Sequence, residues 1–288
     1  MKIFAIVVTY NGSKWIEKCL TSLIHSSIQL HIIVIDNFST DRTISIIEEK
    51  FSEVTLIKSP KNLGFGKANN KGIKYALEQE ADYVFLLNQD AWVEKETIEK
   101  LVEVHQNHPQ FGILSPVPYD GDGVELDYLY NKYHKNKIIY RNEFTNRTFE
   151  IKFINAAAWL MSLDLIKQIG GFHPKFVMYG EDTNYIDRVR FHGKFKIGIT
   201  MKANYFHDRQ YRKIEKDTLN RRLSKLKTKY KCYAFNPNRK FFEIRIKNIV
   251  LSILKGKEPK IYWRILLYTV KMYVYSLGDR KVYYRLNG

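Results

Sequence analysis

The chain has 288 residues, of which 45% are hydrophobic and 27% are charged. This length suits one large domain or a domain with an appendage, and the composition excludes disorder as the default expectation. Two cysteines, Cys19 and Cys232, match neither a metal spacing nor a disulfide framework, which indicates a reducing, cytoplasmic compartment. The run from Met1 to Val8 is interpreted as a core strand rather than a signal peptide, because no small-residue cleavage pattern follows it.

The net charge of +17 is confined to one end of the chain. Residues 209–288 contain 22 Lys or Arg against 5 Asp or Glu, whereas residues 1–208 contain 25 of each. This asymmetry predicts a neutral body over residues 1–212 and a basic appendage over residues 213–288 that faces an anionic partner. Lipid head groups and nucleic acid both fit the charge.

Short apolar runs alternate with amphipathic segments over the first 90 residues. Strands are predicted at 2–8, 31–35, 54–57 and 83–87. Ser13 is expected to cap a first helix to about residue 24, Ser39 or Thr40 a second to about residue 50, and a third helix runs to about residue 79. Cys19 falls on the apolar face of the first helix. The alternation is typical of an α/β fold with a parallel, nucleotide-binding sheet.

Two common nucleotide-binding motifs are absent from the sequence. Gly64-Phe65-Gly66 lacks the third glycine of the dinucleotide fingerprint, because Asn69 occupies that position, and it follows the third strand rather than the first. No Walker-type phosphate loop occurs. A dehydrogenase and a kinase are therefore disfavoured.

Six motifs in a fixed order carry a resemblance to a known family. They are Thr9-Tyr10-Asn11, the segment 36–41 with two aspartates, the segment 62–70, Asn88-Gln89-Asp90, the segment 155–161, and Gly170-Gly171-Phe172 followed by Tyr179-Gly180-Glu181-Asp182. Over about residues 1–210 the chain resembles the family-two glycosyltransferases of GT-A fold, most of all their bacterial rhamnosyltransferase-like branch. This implies a Rossmann-like mixed sheet flanked by helices, with residues 1–212 as the catalytic domain.

The resemblance also implies a reaction. It is inverting transfer of a hexose from a nucleotide-diphosphate donor to a glycan or lipid-linked acceptor, in surface polysaccharide biosynthesis. A dTDP- or UDP-sugar is the expected donor, because an aspartate suits the N–H of a pyrimidine.

The nucleotide sugar is expected at the carboxyl ends of the strands. The resemblance implies that Asp36 accepts a hydrogen bond from the base, and an Asx turn is the structural alternative. Gly64 permits a close backbone approach, and Lys67 is either a ligand contact or a solvated helix charge. The remaining expected contacts are Thr9, Tyr10, Asn11, Asn37, Asn69, Asn88 and Gln89.

A divalent cation, Mg²⁺ or Mn²⁺, is implied at Asp90, where it would bridge the diphosphate. Asn88 departs from the usual Asp-X-Asp pattern, and the missing charge puts metal dependence in doubt. His207 matches a histidine that often completes the metal shell, and a structural histidine is the alternative. Arg209 and Arg212 are further candidates for phosphate neutralisation.

Asp182 is the implied catalytic base that takes the proton of the acceptor hydroxyl. Its alternative role is to stabilise the helix dipole as an acid at a helix N-terminus. Glu181 is expected to shape the acceptor site or to be an exposed acid. Trp159 is expected either to stack on the acceptor sugar or to lie in the core.

The basic region is predicted to form helices at 219–230, 239–255 and 259–277. None offers about 18 uninterrupted apolar residues, so a spanning helix is not expected. Basic amphipathic helices with Trp and Tyr suit the inner face of an anionic membrane. The alternatives are packing on the catalytic body or on a second subunit of a homodimer. Residues 118–150 are expected to form a variable excursion with a hairpin around 137–148.

Two rival functions stay open at this point. A nucleic-acid-binding protein would use the basic tail, but no nucleic-acid module is visible and the chemical motifs lie in the neutral part, so no nucleic-acid partner is expected. A catalytically silent scaffold that binds sugar nucleotides is suggested by Asn88.

Overall fold

The computed structural model describes residues 1–128, 130–131, 147–209, 219–256, 258–277 and 286. Most of the hairpin predicted around 137–148 lies outside these residues, and so does Arg212.

The first half of the fold alternates strands and helices, as the sequence predicts. In chain order its elements are β1 (Ile3–Thr9), α1 (Ile16–Ile24), β2 (His31–Asp36), α2 (Thr43–Lys50), β3 (Thr55–Lys58), α3 (Phe65–Glu78) and β4 (Tyr83–Asn88). Each strand agrees with its predicted position to within one residue at either end.

The second half is less regular. Its elements are β5 (Ala91–Val93), α4 (Thr97–Asn107), β6 (Phe111–Asp120), β7 (Thr148–Glu150), β8 (Ala158–Ser162), α5 (Leu163–Ile169), α6 (Glu181–His192) and β9 (Lys196–His207). Three helices follow: α7 (Leu219–Ala234), α8 (Arg239–Leu254) and α9 (Pro259–Ser276).

The strands form one mixed sheet in the order β3-β2-β1-β4-β8-β6-β9-β5, with β7 also paired to β9. β1 to β4 are parallel to one another, whereas β8 runs antiparallel to both β4 and β6. The first four strands are therefore parallel, as the alternation predicts. β6 and β9 are also parallel to each other, and β5 is antiparallel to β9. The mixed sheet expected from the resemblance is confirmed.

Apolar side chains cover both faces of this sheet. On one face the strands pack against α1, α2 and α4, and on the other against α3, α5 and α6. Cys19 is fully buried in the first of these layers, as predicted from its helical position. Helices on both faces account for the uninterrupted apolar runs of β1 and β4.

The predicted helix caps at Ser13, Ser39 and Thr40 are wrong. Helix α1 begins after Trp15 and α2 after Arg42, and neither N-terminus has a side-chain cap. The polar residues instead join neighbouring loops: Ser39 Oγ accepts from the backbone N–H of Asn11 at 3.0 Å, and Asn11 Oδ1 accepts from the N–H of Thr40 at 2.8 Å. The first two strand tips are thereby held together.

Helices α7 to α9 pack on one another and on the α/β body of the fold. Phe235 at the end of α7 is buried against Phe176, with ring centroids 5.8 Å apart. Phe242 of α8 stacks on Tyr273 of α9 at 4.1 Å. Within the described part of the chain, no helix has the length and apolar content needed to cross a membrane.

Candidate active site

The register of the sheet brings three predicted strand tips together. Thr9 at the end of β1 pairs with Asp36 at the end of β2, and Val8 pairs with Asn88 at the end of β4. All three strands run in the same direction, so their carboxyl ends meet at one edge of the sheet. Ligands of open α/β sheets bind at this edge.

Asp36 is 1% exposed, and its two carboxylate oxygens differ in their contacts. Oδ2 accepts from the backbone N–H groups of Phe38 and Ser39, both at 3.1 Å. Oδ1 is buried and has no hydrogen-bond partner among the described residues. The two predicted roles of Asp36, an Asx turn and a contact with the nucleobase, are therefore compatible. The turn uses one carboxylate oxygen and leaves the other for an N–H of the ligand. A buried acceptor without a partner is costly, which favours a bound donor group there.

Gln89 joins the tips of β1 and β4. Its Oε1 accepts from Thr9 Oγ1 at 2.7 Å and from the N–H of Tyr10 at 2.8 Å, and its Nε2 donates to the Tyr10 carbonyl at 3.1 Å. This side chain is therefore committed to positioning the loop after β1. Tyr10 is 45% exposed at the same edge.

Asn37 has a similar positioning role on the other side of Asp36. Its Nδ2 donates to Asn62 Oδ1 at 3.0 Å, and its Oδ1 accepts from the N–H of Leu63 at 2.7 Å. Lys67 is exposed on α3, whereas Asn69 is 2% exposed and donates to the Phe65 carbonyl within its own helix. The amide nitrogen of Asn69 is thus used within the helix. Of these two residues, only Lys67 has a side chain that is accessible to a ligand.

Gly64 is required by the protein itself. Its φ of +79° lies in the left-handed region, and a Cβ at this position would lie 1.8 Å from the carbonyl oxygen of Val177. The predicted close backbone approach occurs, but the approaching group is the loop before α6. This contact joins the start of α3 to the segment that leads to Asp182.

Substitution of Gly64 therefore tests how strongly that loop is held. Gly64→Ala is expected to lower the free energy of unfolding by more than the roughly 1–2 kcal/mol that positive φ costs an L-residue, because the Val177 carbonyl must also move. Gly193→Ala is the control for a positive φ without a close contact, since Gly193 has a φ of +82° and nothing within 4 Å of its Cβ position. Urea unfolding of both variants measures the difference. Equal losses would contradict this account of the contact.

Asp90 and His207 are brought into contact from distant parts of the chain. Strand β5 pairs with the end of β9, and this places Asp90 Oδ1 3.2 Å from His207 Nε2. The His207 side chain is fully buried and the Asp90 side chain is 15% exposed. Arg209 Nε donates to His207 Nδ1 at 3.2 Å and lies 3.1 Å from Asp127 Oδ2. Arg209 is thereby paired with a carboxylate at this site.

The donor set fits a divalent cation in part. A carboxylate oxygen and an imidazole nitrogen both suit Mn²⁺, and Asp127 stands behind the histidine as an outer carboxylate. In the regions that the structure describes, no three His, Cys, Asp or Glu side chains are grouped as a metal site. The protein would therefore supply two ligands, and a diphosphate and water would have to supply the rest.

Asp182 lies in the first turn of α6, next to the same edge. Its Oδ1 accepts from the backbone N–H of Thr183 at 2.6 Å. Burial raises the pKa of its carboxyl, and hydrogen bonds from the backbone of Thr183 and of Ala156 oppose that rise. The next residue, Ala157, accepts from the N–H of Asn88 at 2.9 Å. Asp182 is thus linked to the end of β4 through Ala156 and Ala157, which directly precede β8.

Glu181 is buried rather than exposed. It is 8% exposed, and its Oε2 has no partner among the residues described. Burial, and after it the negative charge of Asp182, raise the pKa of Glu181 to about 7. Glu181 therefore gains or loses its proton near neutral pH.

Trp159 does not reach the acceptor side. It is fully buried in β8, with its ring stacked on Phe172 at a centroid distance of 6.2 Å and tilted against Tyr185 at 6.0 Å. The core alternative holds, and stacking of Trp159 on an acceptor sugar is not supported. β8 lies between β4 and β6 in the middle of the sheet, which leaves this side chain no access to solvent.

The C-terminal helices contact the helix that carries Asp182. Packing on the body of the fold was one of the alternatives for the basic region, but contact with this particular helix was not predicted. Asn236 Nδ2 donates to Asp187 Oδ2 at 2.8 Å, and Asn184 Nδ2 donates to the carbonyl of Phe235 at 3.3 Å. The Cys232 thiol lies 3.6 Å from the carbonyl of Gly180. Asp127 was missed as well, because it lies in a segment without periodicity or a recognisable motif.

The mixed sheet with its acidic carboxyl edge defines the GT-A class of fold. A family model described as Glycosyl transferase family 2 matches residues 4–170, and the chain belongs to this family, whose members are inverting enzymes that use nucleotide-sugar donors. The GT-A class is typically dependent on divalent cations.

Known relatives and solved structures agree with this assignment. The chain is 29% identical over 131 residues to poly(ribitol-phosphate) beta-N-acetylglucosaminyltransferase TarS of Staphylococcus aureus, a match that covers 43% of this chain and 22% of TarS. It is 25% identical over 211 residues to N-acetylglucosaminyl-diphospho-decaprenol L-rhamnosyltransferase of Mycobacterium tuberculosis, covering 64% of this chain and 69% of the relative. A crystal structure of TarS residues 1–349 with UDP superposes with a TM-score of 0.60 at 17% identity, over 97% of this chain and 82% of that one.

Proposed function

We propose that this protein transfers a sugar, with inversion, from a dTDP- or UDP-sugar to a hydroxyl of a glycan or lipid-linked acceptor in surface polysaccharide biosynthesis. One observation supports this most directly: the fold brings Asp36, the Asp90–His207 pair and Asp182 to a single sheet edge. Asp36 would accept a hydrogen bond from the nucleobase, and the Asp90–His207 pair would hold a cation near the diphosphate. Asp182 would act as the general base for the acceptor hydroxyl. The names of the two relatives, an N-acetylglucosaminyltransferase and a rhamnosyltransferase, point the same way.

The donor nucleobase is expected to bind beside Asp36. Its N–H would donate to Oδ1, the oxygen that the turn leaves without a partner. Uracil and thymine both present such an N–H, so this contact selects a pyrimidine and leaves the sugar open. Gln89 and Asn37 act indirectly, because each holds one of the loops that flank the base.

The diphosphate is expected beside Asp90 and His207. In the structure Nδ1 of His207 accepts from Arg209, so Nε2 carries the proton that points at Asp90. A divalent cation held by these two residues would take the place of that proton and, when bound, would neutralise charge on the leaving diphosphate. Asp127 and Arg209 keep the imidazole in this orientation.

Asp182 is proposed to take the proton of the acceptor hydroxyl as the new C–O bond forms. Burial holds its pKa above the ordinary aspartate value, which makes its carboxylate a better proton acceptor. Glu181 beside it is proposed to contact the acceptor through the oxygen that has no partner in the described structure. The division into a catalytic domain of residues 1–212 and a basic region of residues 213–288, and a cytoplasmic site at the inner membrane face, stay predictions.

The reaction is tested by slow donor hydrolysis across a panel of nucleotide sugars with Mn²⁺ or Mg²⁺. We expect turnover of one pyrimidine-linked donor, and Asp36→Ala is expected to raise the Kd of the matching nucleoside diphosphate at least ten-fold, because a charged hydrogen bond worth about 1.5–3 kcal/mol is lost. Asp82→Ala is the control, since that aspartate is exposed at the opposite end of the sheet. A purine-linked donor, or unchanged affinity in Asp36→Ala, would contradict the proposal.

A scaffold that binds sugar nucleotides without turnover is the second candidate, and Asn88 in place of an acid is the observation that favours it. It predicts nucleotide binding with no product from any donor, even when a membrane lipid extract is supplied as acceptor. Product formation in the same assay would exclude it.

A further inference from the structure

Helix α9 presents a continuous apolar stripe to solvent. Its members follow one another at intervals of four and three residues and are each between 48% and 68% exposed: Trp263, Leu267, Val270, Val274 and, directly after the helix, Leu277. At 100° per residue they fall within about 80° of the helix circumference. Apolar stripes of this kind on a folded protein mark an interaction surface.

The orientation of this stripe is set by the opposite side of the same helix. Ile265, Thr269 and Ser276 are fully buried against the other C-terminal helices, and Tyr273 stacks on Phe242 of α8. Helix α9 therefore already packs against α7 and α8 on one side. The stripe lies on the opposite side and is an additional apolar surface.

Basic residues border the stripe on one flank. Lys260, Arg264 and Lys271 are all exposed, and on the same helical projection they lie about 60–100° from the centre of the stripe. The segment 259–277 contains no Asp or Glu, and residues 209–288 carry the whole net charge of the chain. The surface therefore combines apolar insertion with attraction to anions.

We propose that the α9 stripe is the docking face for the surface of an anionic lipid bilayer, with the helix lying in the plane of the membrane. Leucine and valine would enter the head-group boundary, Trp263 would sit at the interface, and the three cations would contact lipid phosphates. A second copy of the chain fits less well, because pairing two stripes would bring six cations together without an acid on either helix. This inference does not rest on the proposed transfer reaction.

Binding to vesicles tests the docking face. Wild-type protein is expected to sediment with vesicles of phosphatidylglycerol and phosphatidylcholine, and much less with phosphatidylcholine alone. Leu267→Glu/Val274→Glu is expected to reduce partitioning about ten-fold or more. The matched control, Phe191→Glu/Leu219→Glu, changes the charge equally at two exposed apolar residues elsewhere and is expected to stay within about two-fold of wild type.

Two further measurements separate membrane docking from other occupants. Trp263 fluorescence should shift to the blue on anionic vesicles, and Trp263→Phe should abolish the shift. Both double variants should keep donor binding and thermal stability, which excludes misfolding as the cause. The proposal is overturned if the stripe variant binds vesicles like wild type, if wild type does not bind, or if sedimentation velocity shows a wild-type dimer that the stripe variant dissociates.

Discussion

Asp182→Asn is expected to lower the rate of sugar transfer by about 10²–10⁴, the usual contribution of a positioned general base. The Kd of the donor nucleotide should stay within about two-fold, because the base acts on the acceptor hydroxyl. Single-turnover kinetics with saturating donor separates the two quantities. Asparagine keeps the volume of the side chain and its amide oxygen can still accept from Thr183, so the local fold should persist.

Glu181→Gln is the matched control for this substitution. The pKa of Glu181 is raised to about 7, so the side chain carries a proton part of the time at neutral pH, and glutamine resembles that neutral form. Its effect on the rate is expected to be no more than about ten-fold. If Glu181→Gln abolished transfer while Asp182→Asn did not, the roles of the two acids would be reversed.

The stability of Asp182→Asn carries a second expectation with a definite sign. Burial raises the pKa of Asp182, so the folded protein binds this proton more tightly than the unfolded chain, and the free energy of unfolding falls as pH rises through that pKa. Asparagine has no proton to lose. At pH 8 the variant should therefore melt at the same temperature as wild type or higher, which is typical of residues kept for function.

Asp90→Asn is expected to have the second largest effect, a loss of roughly 100-fold in donor turnover, because cation stabilisation of the leaving group is worth several kcal/mol. The half-saturating concentration of Mn²⁺ or Mg²⁺ should also rise at least ten-fold, as one of two protein ligands is weakened. EDTA should abolish wild-type turnover, and added cation should restore it. The backbone is expected to tolerate the change, since the Asp90 carbonyl still accepts from Asp208.

The exposed residue Glu125 supplies the control for this experiment, as Glu125→Gln removes one nearby charge without touching the pair. Its cation dependence should match wild type. Asp90→Asn with an unchanged cation dependence would show that the site does not hold the metal. If wild-type turnover persisted in EDTA, the enzyme would work without a cation. The asparagine at position 88 would then reflect the loss of metal dependence.

The sequence predicted the parallel half of the fold well. β1 to β4 are short, mainly apolar runs that end in polar tips. Amphipathic helical segments separate them, and this alternation identifies a parallel arrangement. The position of Cys19 in the core followed from helical spacing alone. The motif order also predicted the family, which the match over residues 4–170 confirms.

Helix starts were predicted less well, because a polar residue near a helix start has more than one available partner. Ser39 and Thr40 look like N-caps along the chain, yet both bind Asn11 from the neighbouring strand tip. Gln89 looks like a ligand contact within its motif, yet its side chain is occupied by Thr9 and Tyr10. Such choices depend on which loop lies nearest in space.

The sequence by itself determined the elements, the family and the chemical types of residue at the strand tips, since these depend on local periodicity and on short motifs. Only the tertiary structure decided where the side chains point. It buried Trp159 in the central strand β8, paired Asp90 with His207 across 117 residues, and placed α7 against the helix of Asp182. Contacts between residues far apart in the chain depend on strand order and packing, and neither can be predicted from the local sequence.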